Sequence, residues 1–491
     1  MKKLSFIMLV LAVCWLTGCV SNQIEPPSSV AQANTEGVGN PYHITEEEAL
    51  ANLEAFFAAN SQGQTRTSTP MPRIKKITGV RNHDRATRGE TGDSTILLYI
   101  ANFDDEQGFA LLSADKRVSS LVVGVSEKGE ISEEILEYYD RLISDRPLYK
   151  GFPLDGPGFF TDTIPGGGTE TFINPNTVDF YIEKEDDYLI GNLDTSGYEL
   201  LNQYAIGNGD SGNRITLDNQ LQLLILEYAV NYAKNCIKGI NVNDNKMTDK
   251  PVGVWDPVPG GSPTNDGTET NVVVKGPLLS KFVEWRQSPY LNKSFKPVGD
   301  RDHALTGCYP LALAKILTYN CKPQIITYND STVHLDIIGN DIKGESPESA
   351  RFLWIIAEWC DAKYFRNGTF VFPKKAKKFL SDCRYSNVKL KKYSFDRIKN
   401  MIDNNHPLAI CGMPDLDVKR AHAWNIDGYR TSKYGSKEVK MIHCDFGWGG
   451  NYNGYYVDNC FNLGSDDNIY DGRHENDDRT LNSYNRLLMY E

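Results

Sequence analysis

Between residues 309 and 317 the chain reads Tyr-Pro-Leu-Ala-Leu-Ala-Lys-Ile-Leu, which is apolar nearly all round a helix apart from Lys315. Such a helix has no polar face to leave in water and is expected to be buried. Pro310 fits only a first turn, which places Cys308 at or near the N-cap. Far upstream, Thr45-Glu46-Glu47-Glu48 spells a capping box, with Leu50, Leu53, Phe56 and Phe57 following at helical spacing. Ile96–Phe103 and Phe109–Ala114 read as strands joined in a hairpin through Asp104-Asp105-Glu106-Gln107-Gly108, and Leu121–Val125 reads as another strand. Residues 61–93 are polar and basic, hence loop, as is the Gly- and Pro-rich stretch 151–170. Residues 215–237 carry Leu217, Leu221, Leu224, Tyr228, Tyr232 and Ile237 in a long amphipathic helix. Pro and Gly then crowd residues 251–268, the best domain boundary in the chain. Beyond it, Pro407–Gly412 is strand-like, and His422, Trp424 and Ile426 alternate with Ala423, Asn425 and Asp427 in a second strand. After the turn-like Lys433-Tyr434-Gly435-Ser436, the residues Val439, Met441, His443 and Asp445 share one side of a third.

Length adds two to three domains to this picture, since 491 residues exceed one ordinary core. With 40% hydrophobic and 11% aromatic residues the chain folds rather than staying disordered. A formal net charge of −12, with no dense basic block, argues against a nucleic-acid partner. The first residues read as an export signal: Lys2 and Lys3 precede the apolar run Leu4–Leu16, too short to span a bilayer. Leu16-Thr17-Gly18-Cys19 resembles a bacterial lipoprotein cleavage box, so Cys19 is the expected lipid-bearing residue and the membrane a partner through that anchor. Val20 after it, rather than aspartate, points to the outer membrane or surface of a Gram-negative cell. The expected organisation is a signal peptide over 1–18, a tether over 19–42, a front domain over 43–270 and a chemistry-bearing domain over 271–491. None of the ten cysteines forms a Cys-x-x-Cys pair, which weakens zinc and thioredoxin-like readings; no metal or organic cofactor is expected.

A thiol attacks a carbonyl only as thiolate, and an unperturbed cysteine, with a pKa of about 8.5, is mostly protonated at neutral pH. The positive end of a helix and a neighbouring imidazolium both lower that value, which makes Cys308 and His422 a candidate nucleophile and base. Folding the last hairpin about Tyr434-Gly435 sets His422 roughly across from Asp445, near enough for the carboxylate to hold the ring, since cross-strand Cβ atoms lie about 4.5–5.5 Å apart. Taken singly, Cys308 also reads as a buried structural cysteine and His422 as a core histidine bonded to backbone. His303, His406 and His443 are weaker candidates.

Four ordered motifs together resemble the streptopain family of papain-like cysteine peptidases. They are Trp285-Arg286-Gln287-Ser288-Pro289-Tyr290-Leu291-Asn292, Gly307-Cys308 opening a helix, Ala421-His422-Ala423-Trp424-Asn425-Ile426-Asp427-Gly428-Tyr429, and Gly447-Trp448-Gly449-Gly450 before Asn453-Gly454-Tyr455-Tyr456. The resemblance covers residues 272–491 well, and Gly108-Phe109-Ala110-Leu111-Leu112-Ser113-Ala114-Asp115 looks like the family's propeptide. It implies an α+β fold, with a helical part packed on a twisted antiparallel sheet, preceded by an α+β pro-domain. It further implies Cys308 as nucleophile, His422 as general acid and base, Gln287 as oxyanion donor, Asp445 where the family usually has asparagine, and Trp448 as cover for the histidine. The implied activity is that of an endopeptidase zymogen cutting polypeptides, activated by cleavage in the 240–275 linker, with Lys246, Lys250 and Lys275 as cut-site neighbours. Asp415–Arg420 replaces the small residues that the family usually presents before its histidine. That departure keeps open a catalytically silent surface lipoprotein that binds host or envelope protein; a transglutaminase-like acyltransferase would share the Cys-His logic.

Overall fold

The capping box closes as its sequence dictates. The Thr45 N–H donates to Glu48 Oε2 at 2.9 Å and the Glu48 N–H to Thr45 Oγ1 at 3.2 Å, opening helix α1 (Glu46–Gln62). In this computed structural model the described residues are 40–62, 71–81, 95–145, 159–163, 169–173, 217–238, 240–241, 246–247, 269–365, 368–414, 421–434, 437–461 and 483–491. The expected signal peptide, Cys19 and the whole 251–268 boundary lie outside them, as does Asp415–Arg420.

The expected front hairpin is present as β2 (Ile96–Phe103) and β3 (Phe109–Ser113), followed by β4 (Val122–Ser126). Inside the stretch read as loop, β1 (Ile74–Arg81) pairs antiparallel with β2. Its apolar residues recur every third position, and a register shift between Ile74 and Lys76 realigns them, so no period of two announces the strand. Alternate residues of the hairpin enter different cores. Leu98, Ile100, Phe109 and Leu111 join one; Tyr99, Ala101, Phe103, Ala110 and Leu112 join the other, roofed by Leu53 and Phe56 of α1. Both faces are covered, which is why these strands read as unbroken apolar runs.

The remaining long elements are α2 (Glu133–Asp145), α3 (Leu217–Lys238), β5 (Glu269–Lys275), α4 (Cys308–Asn320), α5 (Pro347–Trp359), α6 (Pro373–Asp382), β6 (Lys389–Lys392), α7 (Phe395–Asp403), β7 (Leu408–Pro414), β8 (His422–Tyr434), β9 (Lys437–Asp445), β10 (Gly454–Val457) and β11 (Ser483–Met489). Strands β1 to β11 make one antiparallel sheet in the order β1-β2-β3-β4-β10-β9-β8-β7-β11-β6, with β5 on β8 off that path. The front strands thus continue the rear sheet: β4 pairs with β10 through Ser126–Gly454, Val125–Tyr455 and Gly124–Tyr456. Gly454 permits this seam, because a Cβ there would lie 2.1 Å from the Val125 carbonyl oxygen.

Helix α4 packs across β8 and β7 with Tyr309 through Thr318 all buried, as its composition requires. Helix α3 departs from its amphipathic reading. Its buried set includes Gln222, Glu227, Asn231 and Asn235 as well as the apolar residues, because it lies between front and rear strands. Two of its polar groups are spent on rear residues: Gln222 Nε2 donates to the Tyr452 hydroxyl at 2.9 Å, and the Tyr228 hydroxyl to Asn485 Oδ1 at 3.2 Å. The whole is the α+β architecture expected, helices against an antiparallel sheet.

Candidate active site

Helix α4 begins at Cys308 itself. Gly307 forms its N-cap at φ 90°, where a Cβ would press to 3.1 Å on Pro310 and Thr369. No side chain caps this helix, so its N-terminal dipole faces the thiol. Strand β8 crosses here, anchored by Asn425 Nδ2, which donates to the Ala312 carbonyl of α4 at 3.1 Å. The N–H of Ala423, next to His422, points at the Cys308 sulfur, with the N–H groups of Tyr309 and Cys308. Helix and strand, 114 residues apart in their key side chains, thus meet at the sulfur.

The His422 ring lies against three aromatic rings. It stacks near Trp424 and Phe446, with centroids at 6.0 and 6.4 Å, and meets Trp448 edge-on at 5.3 Å. Its Nε2 is 3.1 Å from the Phe446 carbonyl oxygen. A carbonyl only accepts, so this bond assigns the proton to Nε2 and leaves Nδ1 as a lone-pair acceptor. Burial of both groups works against the expected ion pair in this chain. Burial pushes the Cys308 thiol up, against the partial relief of the three N–H groups, and burial pushes His422 down to about 4. Both shifts favour the uncharged forms at pH 7.

Gln287 is buried in the irregular stretch before α4. Arg286 makes a backbone bridge with Trp448, and the Thr306 N–H donates to the Gln287 carbonyl at 3.4 Å. Gln287 is thereby bracketed between the Trp448 loop and the segment that ends in Cys308.

Asp445 is not opposite His422. Tyr434 pairs with Lys437, and a register shift between Ile426 and Gly428 leaves Asp427 as the extra residue. Asn425 then faces Asp445, while His422 pairs with Gly412 of β7. The Asp445 carboxylate turns instead to Lys315 of α4, whose Nζ lies 2.9 and 2.7 Å from its two oxygens. Acceptance from the imidazole passes to the Phe446 backbone. Lys315 carried a readable signal, since a lone lysine in a buried apolar helix requires an acidic partner; its identity was not readable.

The weaker histidines have other partners. His303 Nδ1 lies 2.8 Å from the Phe295 carbonyl, and His406 packs on Tyr490 at 5.5 Å. His443 is buried, and burial alone works against its charge. Asp427 Oδ1 at 2.5 Å from Nδ1, with Glu127 Oε1 of the front segment at 3.5 Å from Nε2, outweighs that and pushes it up to about 10. Among the described residues the eight cysteines are free, no group of His, Cys, Asp or Glu is arranged to hold a metal ion, and no helix is long and apolar enough to cross a membrane.

Residues 361–456 match the model of the Peptidase C10 family, a span that carries His422, Asp445 and Trp448, with Cys308 and Gln287 preceding it. Residues 41–142 match the model described as Spi protease inhibitor. No curated protein matches the chain. Among solved structures, a prointerpain A fragment of Prevotella intermedia is similar at 16% identity over 84% of this chain and 97% of that one, with a TM-score of 0.39. The active wild-type interpain A cysteine protease of the same organism is similar at 18% identity over 44% of this chain and 94% of that one, with a TM-score of 0.30. At those scores neither likeness decides the fold. The matched segments, with the motifs that flank them, support a cysteine-type peptidase, similar to the Peptidase C10 family over residues 361–456 and to the Spi protease inhibitor over residues 41–142.

Proposed function

We propose that the chain is the zymogen of an exported, lipid-anchored cysteine endopeptidase, latent until its front segment is cut away. The observation that carries this reading is the convergence at one sulfur: α4 starts at Cys308, and β8 brings to it the N–H of Ala423, the residue after His422, whose Nε2 is committed to Phe446. Nδ1 is then the acceptor for the thiol proton. In the proposed cycle the Cys308 thiolate adds to the scissile carbonyl, and the oxyanion is held by the Cys308 N–H and the Gln287 side chain. One such donor is typically worth about 3–4 kcal/mol in the transition state. The His422 imidazolium protonates the departing amine, the acyl group stays on sulfur, and water attacks with His422 as base. Trp448 keeps bulk water from the His422 ring.

Latency in this reading follows from a neutral thiol and a neutral imidazole, kept so while the front segment extends the sheet and α3 lies on rear residues. Activation then requires a cut in the linker. Lys275 is a poor place for it: it ends β5, pairs with Tyr429, and its Nζ donates to the Asp403 carbonyl at 2.9 Å. Glu269, at the start of the same strand, forms a buried ion pair with Arg430. The expected cut therefore lies ahead of Glu269, and β5 stays with the peptidase. N-terminal sequencing of the self-processed product, alongside casein digestion, tests the reading. A new N-terminus within residues 248–269, appearing together with caseinolysis, is expected. A start beyond Lys275 would overturn the retention of β5, and a cleanly cut chain without caseinolysis would overturn the endopeptidase. Anchoring through Cys19 is tested by fractionation: Cys19→Ala is expected to leave the membrane fraction.

A further inference from the structure

We propose that Lys315 is a positioning residue of this peptidase, tying the turn that holds His422 to the helix that carries Cys308. The inference rests on the catalytic reading of Cys308 and His422 above. Lys315 lies two helical turns after Cys308 on α4, is 0% exposed, and reaches both oxygens of Asp445, itself 2% exposed. Asp445 is the last residue of β9, and its Oδ1 also accepts the Gly447 N–H at 3.0 Å. That second bond folds the chain back over one residue, and the residue enclosed is Phe446, whose carbonyl receives His422 Nε2 at 3.1 Å. The Phe446 N–H is fixed in turn by Asn453 Oδ1 at 2.9 Å. Gly447 sits at φ 74°, with its would-be Cβ 2.8 Å from Leu311 of α4, so the turn is seated directly on the nucleophile's helix.

An ion pair is an expensive way to hold a helix to a sheet. Two buried charges lose their hydration, and well-packed apolar residues of similar volume often hold the same contact as well or better. What the pair adds is direction. Three donors, one from α4 and two from the backbone of the turn, converge on Asp445 and Asn453 and leave the Phe446 carbonyl one orientation. A shift of about 1 Å in such a group is sufficient to cost about a hundredfold in rate. His422 therefore inherits its ring orientation from α4, the element that also sets the sulfur. The two reacting groups are indexed to one helix.

The role separates from plain packing in a pair of charge-free double variants. Lys315→Met/Asp445→Asn removes both charges and the tie. Lys315→Gln/Asp445→Asn removes both charges but lets one amide donate to the other. Each is measured as full-length chain after self-processing, or after cutting by an added protease, with thermal unfolding as the fold control and casein-derived peptide kinetics as readout. Both are expected to unfold within a few degrees of wild type. The Met/Asn variant is expected to lose about ten- to a hundredfold in kcat with KM within about twofold. The Gln/Asn variant is expected to recover at least about tenfold of that loss. Equal kcat values for the two, in an enzyme whose cleavage depends on Cys308, overturn the positioning role alone. Cleavage by wild type that survives Cys308→Ala overturns the catalytic reading and this role with it.

Discussion

Cys308→Ala is expected to abolish both casein cleavage and self-processing, lowering kcat by at least about 10⁴-fold. The size of the effect follows from what the thiol does in the proposed cycle. Without it no acyl-enzyme forms, and the remaining devices (an N–H at the helix start, the Gln287 amide, the His422 ring) stabilise an oxyanion that no nucleophile has created. The fold loses little, because Cys308 is half-buried at a helix start and alanine is a good helix former there. Thermal unfolding of the variant is therefore expected to match wild type, so that lost activity is not lost structure. The full-length chain should persist uncut in purified Cys308→Ala, as seen by intact mass. A chain that still shortens at the wild-type rate would assign processing to another protease.

The second large effect concerns β5, the strand that pairs with β8. Glu269→Ala is expected to destabilise the protein by about 3–5 kcal/mol, the usual result of removing one partner from a buried pair. Arg430 is 1% exposed, and its guanidinium meets both Glu269 oxygens; Ser432 Oγ donates to Glu269 Oε1 at 2.8 Å, and the Phe56 ring covers Cζ at 4.5 Å. Losing the carboxylate strips the buried guanidinium of the group that meets both of its terminal nitrogens. Glu269→Gln keeps two polar atoms in place and is expected to cost clearly less. Chemical unfolding in the Cys308→Ala background, which prevents self-digestion, measures both. Equal midpoints for Glu269→Ala and wild type would remove Glu269 as the anchor of β5 and with it the argument that the cut precedes residue 269.

Local signals in the sequence were read correctly where the interaction they encode is local. The capping box at Thr45 and Glu48, the Ile96–Ser113 hairpin and the all-apolar helix from Cys308 each close within a few residues. The failures involve partners chosen by the fold. Because Tyr434 pairs with Lys437, the hairpin closes later than a fold about Tyr434-Gly435 and sets Asp445 across from Asn425 rather than His422; a period-two pattern does not fix where a turn closes. Lys315 and Asp445 lie 130 positions apart, so neither strand nor helix pattern could join them. The seam between Ser126 and Gly454 is likewise a long-range pairing that no local pattern announces. Strand β1 was hidden because its apolar residues are spaced by three and its sheet register is supplied by β2. At the site, residue types and order nominate Cys308, His422, Gln287 and Trp448 as candidates, whereas the protonation of Cys308 and His422 depends on burial, which sequence alone does not give.

The pH dependence of Cys308 alkylation by iodoacetamide, followed by peptide mass spectrometry before and after processing, tests the latent pair most directly. In the full-length chain, with His422 neutral down to about pH 4 and the thiol pushed up, labelling should climb only as pH passes the ordinary thiol range. After processing, labelling should be rapid at neutral pH and should lose that advantage in His422→Ala. Labelling of the uncut chain at pH 6 as fast as that of the cut chain, and indifferent to His422→Ala, would contradict the account.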